Sequence, residues 1–265
     1  MTRGTASPPV FLEPATLVGH RGLGKGIVNG QVENTRGSFL AALEAGVNWV
    51  EVDVRRTLDD QLFVAHDAFT GSKFMTQMSA GEVIAAGGLK IEELLDALPR
   101  SAGVAFDVKS SIEDAGRPPR TTTAALLARL GKRSPWRRPV VALSFDPASL
   151  RHMREELPSL PLGLLTWLRF PVGQAVAAAA HLDVDLLALH AGSLWPRSAS
   201  IRADVPALEE VVEHVREADR QLMVWCPNRA QTRALVVAGV DALVVDDVPR
   251  KVHVRARVLN AGPSR

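Results

Sequence analysis

The chain has 265 residues, of which 46% are hydrophobic and 23% are charged, and its formal net charge is +2. This composition supplies both a full core and a polar surface. No basic block with interleaved aromatic residues occurs, so we expect no nucleic-acid partner. The single cysteine, Cys226, excludes an internal disulfide. The N-terminal residues lack the apolar segment of a signal peptide and no later apolar run could cross a bilayer, so we expect a cytoplasmic protein without stable membrane insertion.

Short apolar runs alternate with longer helix-like segments along the chain. The runs are rich in Val and Leu and nearly continuous in apolarity, which is typical of strands covered on both faces. The eight predicted strands are 16–20, 49–54, 103–109, 140–145, 162–167, 186–190, 222–226 and 242–247. A ninth strand, 62–66, is predicted inside the connection after the second strand, because no helix separates the two.

Capping residues predict where several of the intervening helices begin and end. The predicted N-caps are Thr35, Asp146 and Asn228, and the predicted terminal glycines are Gly46 and Gly239. Helix is also predicted over the Ala-rich segment 175–180 and over 206–220. The Gly, Pro and charge content of 110–121 and 131–139 predicts loops.

Eight strands alternating with helices over about 250 residues predict an α/β protein, a (β/α)8 TIM barrel. We expect a single domain spanning 1–265, with its core at about 16–255. The alternative is an open doubly wound sheet. The count of eight strands favours the barrel.

Ionisable side chains cluster at the carboxyl ends of the first three predicted strands, which is where a barrel places its site. These residues are His20, Arg21, Glu51, Asp53, Asp107 and Lys109, and His66 follows the ninth strand. Glu51 and Asp53 are two residues apart and therefore face one side of their strand. Three carboxylates converging from neighbouring strands would repel one another without a cation. Oxygen ligands with no cysteine favour Mg²⁺ or Ca²⁺ over Zn²⁺.

Positive side chains beside such a cluster indicate an anionic substrate. Arg21 and Lys109 suit a phosphate ester. His20 and His66 could serve as acid and base, because the unperturbed pKa of histidine lies near neutrality.

Each of these residues also has a structural interpretation when taken alone. A histidine at a strand end is commonly a hydrogen-bonded structural residue, and Lys109 alone would be a surface lysine. Glu51 and Asp53 could form a solvated ladder with Arg55 or Arg56. The joint occurrence of the set at successive strand ends favours a functional site.

The motifs that hold these residues resemble the glycerophosphodiester phosphodiesterase family, within the phosphatidylinositol-phospholipase-C-like phosphodiesterase superfamily. The N-terminal motifs are His20-Arg21-Gly22, Glu33-Asn34-Thr35 with Phe39, Glu51-Val52-Asp53-Val54, Thr57-Leu58-Asp59, His66-Asp67 and Asp107-Val108-Lys109. The later ones are Ser144-Phe145, Val224-Trp225 with Asn228, and Gly239-Val240-Asp241. The resemblance covers nearly the whole chain.

The resemblance implies a metal-dependent phosphoric diester hydrolase of lipid metabolism. The expected reaction converts a glycerophosphodiester to glycerol 3-phosphate and an alcohol, with Mg²⁺ or Ca²⁺, or else Mn²⁺, as cofactor. The implied metal ligands are Glu51, Asp53 and Asp107. The implied acid–base pair is His20 and His66. The implied phosphate- and substrate-binding residues are Arg21, Lys109 and Trp225, and the supporting residues are Glu33, Asn34 and Asp67.

Three features depart from the family pattern. The connection 22–32 is long and Gly-rich and lacks a Pro before Glu33, so we expect a mobile flap over the site. Asp107 stands where the family usually has Glu, and its shorter arm would draw the metal toward the third strand or admit a water. The region between His66 and Asp107 is short for a glycerol-specific member, which leaves room for a bulkier head group.

Two other functions remain open. One is a lysophospholipase D-like enzyme that forms a cyclic phosphate, for which the apolar residues Leu23, Ile27 and Val28 would suit a lysolipid. The other is a catalytically silent barrel that only binds phosphodiesters. Cys226 follows Trp225 and is expected to face the barrel wall. The oligomeric state is not predicted.

Overall fold

The computed structural model describes residues 8–195 and 205–261. Its centre is a sheet of eight parallel strands. In chain order β1 to β8 are Thr16–Gly19, Trp49–Arg56, Gly103–Val108, Val140–Ser144, Leu162–Leu165, Leu186–His190, Gln221–Trp225 and Ala242–Val245. β1 pairs with both β8 and β2, which closes the sheet into a barrel. The predicted (β/α)8 TIM barrel is confirmed, and the open doubly wound sheet is excluded.

Helices occupy the connections around the barrel. Within the described ranges, α1 to α10 are Arg36–Glu44, Ala80–Ala85, Ile91–Ala97, Thr123–Arg133, Pro147–Glu156, Val172–His181, Ala191–Leu194, Leu208–Glu217, Arg229–Ala238 and Val248–Ala261. The predicted N-caps are confirmed, since the side chains of Thr35, Asp146 and Asn228 accept backbone N–H groups of α1, α5 and α9. Gly239 ends α9 with φ 72°. None of these helices has the length and apolarity to span a bilayer.

Two of the loop predictions are partly wrong. Helix α4 continues through Arg133, so the first residues of the predicted loop 131–139 are helical. Gly131 is a packing residue there, because a Cβ would come within 2.7 Å of the Trp136 ring nitrogen. The segment 110–121 holds two short 3-10 helices, Ile112–Gly116 and Pro119–Thr121.

The connection after β2 folds back on the barrel. Leu62–Val64 pairs antiparallel with the end of β2, and Leu89–Lys90 pairs with Leu62–Val64 in turn. The predicted ninth strand is therefore confirmed. It returns the chain to the carboxyl end of the barrel, and His66 follows it by two residues. Two-residue strands also form small hairpins, Ile27–Val28 with Gln31–Val32 and Phe69–Thr70 with Lys73–Phe74.

The amino-terminal end of the barrel is sealed. The rings of Phe11 and Trp49 lie 4.9 Å apart between their centroids, inside the ring of strands. The Gln221 side chain accepts the backbone N–H groups of Val10 and Phe11 and donates to the Phe11 carbonyl. The residues singled out in the sequence lie at the opposite, carboxyl end. The ends of the predicted domain, 1–7 and 262–265, and the segment 196–204 lie outside the described residues.

Candidate active site

A cavity of about 490 Å³ opens at the carboxyl ends of the strands. Eight of the residues singled out in the sequence line it: His20, Arg21, Glu51, His66, Asp67, Asp107, Lys109 and Trp225. The other three, Glu33, Asn34 and Asp53, contact members of that group from behind the wall. Residues spread over two hundred positions of sequence thus meet at one opening.

Glu51, Asp53 and Asp107 form a buried carboxylate cluster. Asp53 lies opposite Asp107 where β2 pairs with β3, and Glu51 shares the face of Asp53. One oxygen of each residue lies within 4.8 Å of the other two. Oδ1 of Asp107 is buried without a hydrogen-bond partner among the described residues. The cluster fits a hard divalent cation, because such a cation takes oxygen ligands and would satisfy this atom.

The pKa values of the three acids in the carboxylate cluster are shifted in different directions. Burial raises the pKa of Glu51, and the negative charge of Asp53 raises it further. Burial also raises the pKa of Asp107. For Asp53, burial acts in the same direction, but Lys109 and Arg21 outweigh it and the pKa is lowered. Ionising all three acids is therefore costly without a further cation.

Two cations neutralise Asp53. Nζ of Lys109 lies 2.8 Å from Asp53 Oδ1 and also pairs with Asp107. Nε of Arg21 lies 3.3 Å from Asp53 Oδ2, and its Nη1 lies 2.7 Å from Glu33 Oε1. Lys109 is thus an inward-facing residue of the cluster, and the interpretation of it as a surface lysine is wrong.

The ladder between the β2 acids and the following arginines does not form. Arg56 is fully buried and pairs with Asp114 at 2.6 Å. Nε of Arg55 donates to the backbone carbonyl of His66 at 2.9 Å, and Arg55 lines the cavity. Sequence reasoning gave Arg55 no role in the site. Arg55 could have been found from strand alternation, because residues 51, 53 and 55 lie on the same face of β2.

The Glu-Asn-Thr turn braces the cluster. Nδ2 of Asn34 donates to Asp53 Oδ2 at 2.8 Å, and its backbone N–H donates to the Arg21 carbonyl at 3.0 Å. Asn34 has φ 58°, a left-handed conformation that Asn adopts more readily than most residues. Glu33 accepts from the backbone N–H of Gly26 as well as from Arg21.

His20 is buried at the end of β1. Its Nδ1 lies 2.8 Å from Asp246 Oδ1 and 3.7 Å from Cys226 Sγ. Its Nε2 lies 4.0 Å from Glu51 Oε2. Burial acts to lower the pKa of His20, but Asp246, Cys226 and Glu51 outweigh burial and the pKa is raised well above its ordinary value.

Asp246 and Cys226 are site residues to which the sequence analysis assigned no role. Burial would raise the pKa of Asp246, yet the hydrogen bond from His20 lowers it to about 2. The expectation that Cys226 faces the barrel wall is wrong. Cys226 has φ 55°, which breaks the alternation of side chains after Trp225 and turns the thiol toward His20. Asp246 could have been assigned to the site because it directly follows the last strand of the barrel.

His66 stands at the rim of the cavity. Its side chain is 41% exposed, and its Nδ1 lies 2.8 Å from Asp67 Oδ1. Asp67 therefore contacts and orients its neighbour. His20 and His66 share one arrangement, because each has a carboxylate at Nδ1, which leaves Nε2 as its second ring nitrogen.

Aromatic rings form the wall that follows β4, β5 and β7. Phe145 and Trp167 stack with centroids 3.9 Å apart, and Trp225 meets Phe145 edge-on at 5.9 Å. Trp167 is 63% exposed at the rim. Sequence reasoning predicted the place of Trp225 but gave Phe145 and Trp167 no role.

The base of the Gly-rich connection 22–32 is anchored to the last strand. Leu23 is 2% exposed, and its carbonyl accepts the backbone N–H of Val248. Lys25 N–H donates to Asp246 Oδ1 at 2.8 Å. The expected lipid contact through Leu23 is therefore wrong. Ile27, 72% exposed in the hairpin beyond, remains available.

The fold is a TIM barrel, and the family match that follows makes the protein a phosphoric diester hydrolase. The profile of the glycerophosphoryl diester phosphodiesterase family matches residues 20–250. The chain belongs to this family.

Individual relatives agree with this assignment. A glycerophosphodiester phosphodiesterase of Caldanaerobacter subterraneus subsp. tengcongensis is 26% identical over 247 residues, which is 87% of this chain and 93% of that protein. The crystal structure of a glycerophosphodiester phosphodiesterase from Thermotoga maritima has TM-score 0.70 and 19% identity, covering 91% of this chain and 98% of that chain. An Oleispira antarctica phosphodiesterase in complex with its product sn-glycerol-3-phosphate has TM-score 0.71 and 18% identity, covering 93% and 97%. The two structures share the fold of this chain.

Proposed function

We propose that this protein hydrolyses a glycerophosphodiester to glycerol 3-phosphate and an alcohol, using a divalent cation and a pair of histidines. The observation that carries the proposal is the convergence of the carboxylate cluster, His20 and His66 on one cavity in a chain of this family. The glycerol 3-phosphate bound by the Oleispira antarctica relative supports the identity of the product.

Glu51, Asp53 and Asp107 would hold the cation, with Mg²⁺ or Ca²⁺ as the first candidates and Mn²⁺ as a third. The oxygen-only donor set, the unpartnered Oδ1 of Asp107 and the raised pKa of Glu51 support this assignment. When bound, the cation supplies positive charge for the phosphate oxygens.

Three positively charged side chains line the cavity and would bind the phosphate of the substrate. Lys109 and Arg21 are assigned to phosphate binding, and Arg55 adds a third positive charge at the same opening. Guanidinium groups suit this task because they present several N–H donors in one plane.

The two histidines are assigned to proton transfer. Asp246 and Asp67 fix the Nδ1 atoms of His20 and His66, so that Nε2 of each ring exchanges the proton. One histidine takes a proton from the attacking water as its oxygen bonds to phosphorus. The other gives a proton to the alcohol oxygen as the ester bond breaks.

A substrate hydroxyl in place of water would form a cyclic phosphate first, as a lysophospholipase D-like enzyme does. The substrate would then be a lysolipid, for which the exposed Ile27 and Trp167 offer apolar contacts. The proposed location is the cytoplasm, because a chain with a single cysteine forms no internal disulfide and needs no oxidising compartment.

The test is a panel of glycerophosphodiesters and lysophospholipids followed by phosphorus NMR. The protein is stripped with EDTA and then supplied with Mg²⁺, Ca²⁺ or Mn²⁺. We expect glycerol 3-phosphate as the first product, loss of turnover in EDTA, and a rise in the unfolding midpoint when the cation returns. A cyclic phosphate appearing first would favour the alternative. Inactivity with every substrate and cation would favour a silent binding barrel.

A further inference from the structure

Among the described residues, a second group of side chains with potential metal-ligand atoms lies beside the carboxylate cluster. His20 Nδ1, Cys226 Sγ and Asp246 supply ligand atoms that all lie within 4.8 Å of one another. They come from the ends of β1, β7 and β8, whereas the carboxylate cluster comes from β2 and β3. We call this group the mixed cluster.

The donor atoms of the mixed cluster select a different class of metal. A thiolate, an imidazole and a carboxylate are the ligands of Zn²⁺, and a thiolate is a poor ligand for Mg²⁺ or Ca²⁺. Ionised Cys226 and Asp246 would together neutralise a dication, and His20 would bind as a neutral ligand. We infer that the mixed cluster is an inhibitory site for Zn²⁺, separate from the carboxylate cluster.

The distances support tetrahedral coordination. The 3.7 Å between Cys226 Sγ and His20 Nδ1 is close to the separation of about 3.6 Å that zinc–sulfur and zinc–nitrogen bonds give at a tetrahedral angle. His20 Nδ1 and Asp246 Oδ1 lie 2.8 Å apart and would open to about 3.4 Å. Asp246 is half-buried and Cys226 is partly exposed, so a small rotation of the carboxylate suffices.

Zinc would inhibit because His20 belongs both to the mixed cluster and to the proposed acid–base pair; this step rests on the proposed function. Zn²⁺ at Nδ1 replaces the proton that His20 shares with Asp246, which fixes the ring as a metal ligand. Nε2 still faces Glu51, but the zinc ion displaces the Asp246 hydrogen bond that orients the ring, so His20 no longer serves in proton transfer. Turnover then falls although the carboxylate cluster keeps its own cation.

The direct test uses Co²⁺ as a spectroscopic substitute for Zn²⁺ in protein saturated with Mg²⁺. A thiolate-to-cobalt charge-transfer band in the near ultraviolet requires a sulfur ligand, and Cys226 is the only cysteine in the chain. We expect the band in the wild type and in Asp107→Asn, which alters the carboxylate cluster, and its loss in Cys226→Ser. Absence of the band from the wild type would overturn the inference, as would its loss in Asp107→Asn.

A second measurement needs no variant. Zn²⁺ should slow alkylation of Cys226 by iodoacetamide at least about tenfold, because a coordinated thiolate is a poor nucleophile. Mg²⁺ should leave the rate unchanged. Equal rates with and without Zn²⁺ would refute the site.

The inhibitory effect is measured on turnover, each variant being normalised to its own activity without zinc. Cys226→Ser should raise the zinc concentration that halves turnover at least about tenfold. An unchanged value would show that zinc acts at the carboxylate cluster. If the protein hydrolyses no diester at all, the proposed function fails, while the cobalt band and the alkylation rate still decide whether the zinc site exists.

Discussion

The two sides of the cavity differ in what holds them together. The side built from β1, β2 and β3 carries buried charges whose mutual repulsion is only partly offset by Lys109 and Arg21. The side that follows β4, β5 and β7 carries aromatic rings that pack on one another without any charge to compensate. Ionising the acids on the charged side is therefore costly, whereas the aromatic side has no such cost. Under the proposed function, the charged side serves the reaction and the aromatic side contacts the alcohol of the substrate.

Replacing Glu51 by Gln should have the largest effect. Under the proposed function, loss of this cation ligand should lower turnover on the order of 10⁴-fold, because a bound cation would supply several kcal/mol of transition-state stabilisation. In EDTA the variant should unfold at a temperature no lower than the wild type, because burial disfavours an ionised carboxylate at this position and Gln carries no charge. Activity and thermal unfolding with and without Mg²⁺ check both parts.

Glu44→Gln is the matched control, as Glu44 is exposed on α1. It should change neither quantity. A Glu51→Gln protein that is active, or that Mg²⁺ still stabilises as much as the wild type, would contradict the assignment of the carboxylate cluster.

Replacing His66 by Asn should lower turnover about 10²- to 10³-fold, because one partner of the proton transfer is lost. The side chain lies at the rim, and its hydrogen bond to Asp67 is exposed to solvent, so the unfolding midpoint should stay the same. Steady-state kinetics and circular dichroism measure the two. His181→Asn, at an exposed position in α6, serves as control, and full activity of His66→Asn would refute the pair.

Replacing Trp167 by Ala tests the aromatic side. The exposed ring should contribute about 1 kcal/mol to substrate binding, so KM should rise about fivefold while kcat is kept. The increase should be larger for a diester with a bulky alcohol than for one with a small alcohol. Trp167→Phe, which keeps a ring against Phe145, should restore KM. A fall in kcat with constant KM would place Trp167 with the charged side.

The smallest expected effect is the change in stability when Asp246 is replaced by Asn, and this change should disappear at low pH. The folded pKa of Asp246 is about 2 against 3.8 when unperturbed, so its contribution is present above pH 4 and is lost as the pH falls toward 2. The wild type should exceed the variant by about 1 kcal/mol in free energy of unfolding above pH 4, after allowance for solvent screening. Urea unfolding at several pH values measures this difference, and a constant difference down to pH 2 would contradict it.

The barrel and the carboxylate cluster could be predicted because their signals are local. Apolar runs of five or six residues specify strands, and a spacing of two places Glu51 beside Asp53 on one face. The cap residues Thr35, Asp146 and Asn228 act within one helical turn, so their roles follow from neighbouring sequence.

The contacts of His20 could not be predicted, because they depend on the closed barrel. Asp246 lies 226 positions away along the chain and no spacing rule joins the two. Cys226 departs from strand alternation through a left-handed φ that a cysteine rarely adopts. Gly131 resembles a helix terminator in sequence, but α4 continues through it to Arg133, and Trp136 packs against it in a contact that the sequence pattern does not specify.

The hydrogen bond between His20 and Asp246 joins the first strand of the barrel to the end of the last. A chain that has formed the first seven strands already carries Glu51, Asp53, Asp107 and His66 but leaves His20 without its partner. Long-range pairings of this kind form late, after the entropy of the long intervening chain has been overcome. Recovery of turnover during refolding should therefore lag behind the recovery of secondary structure, so that catalysis reports the moment at which the barrel closes.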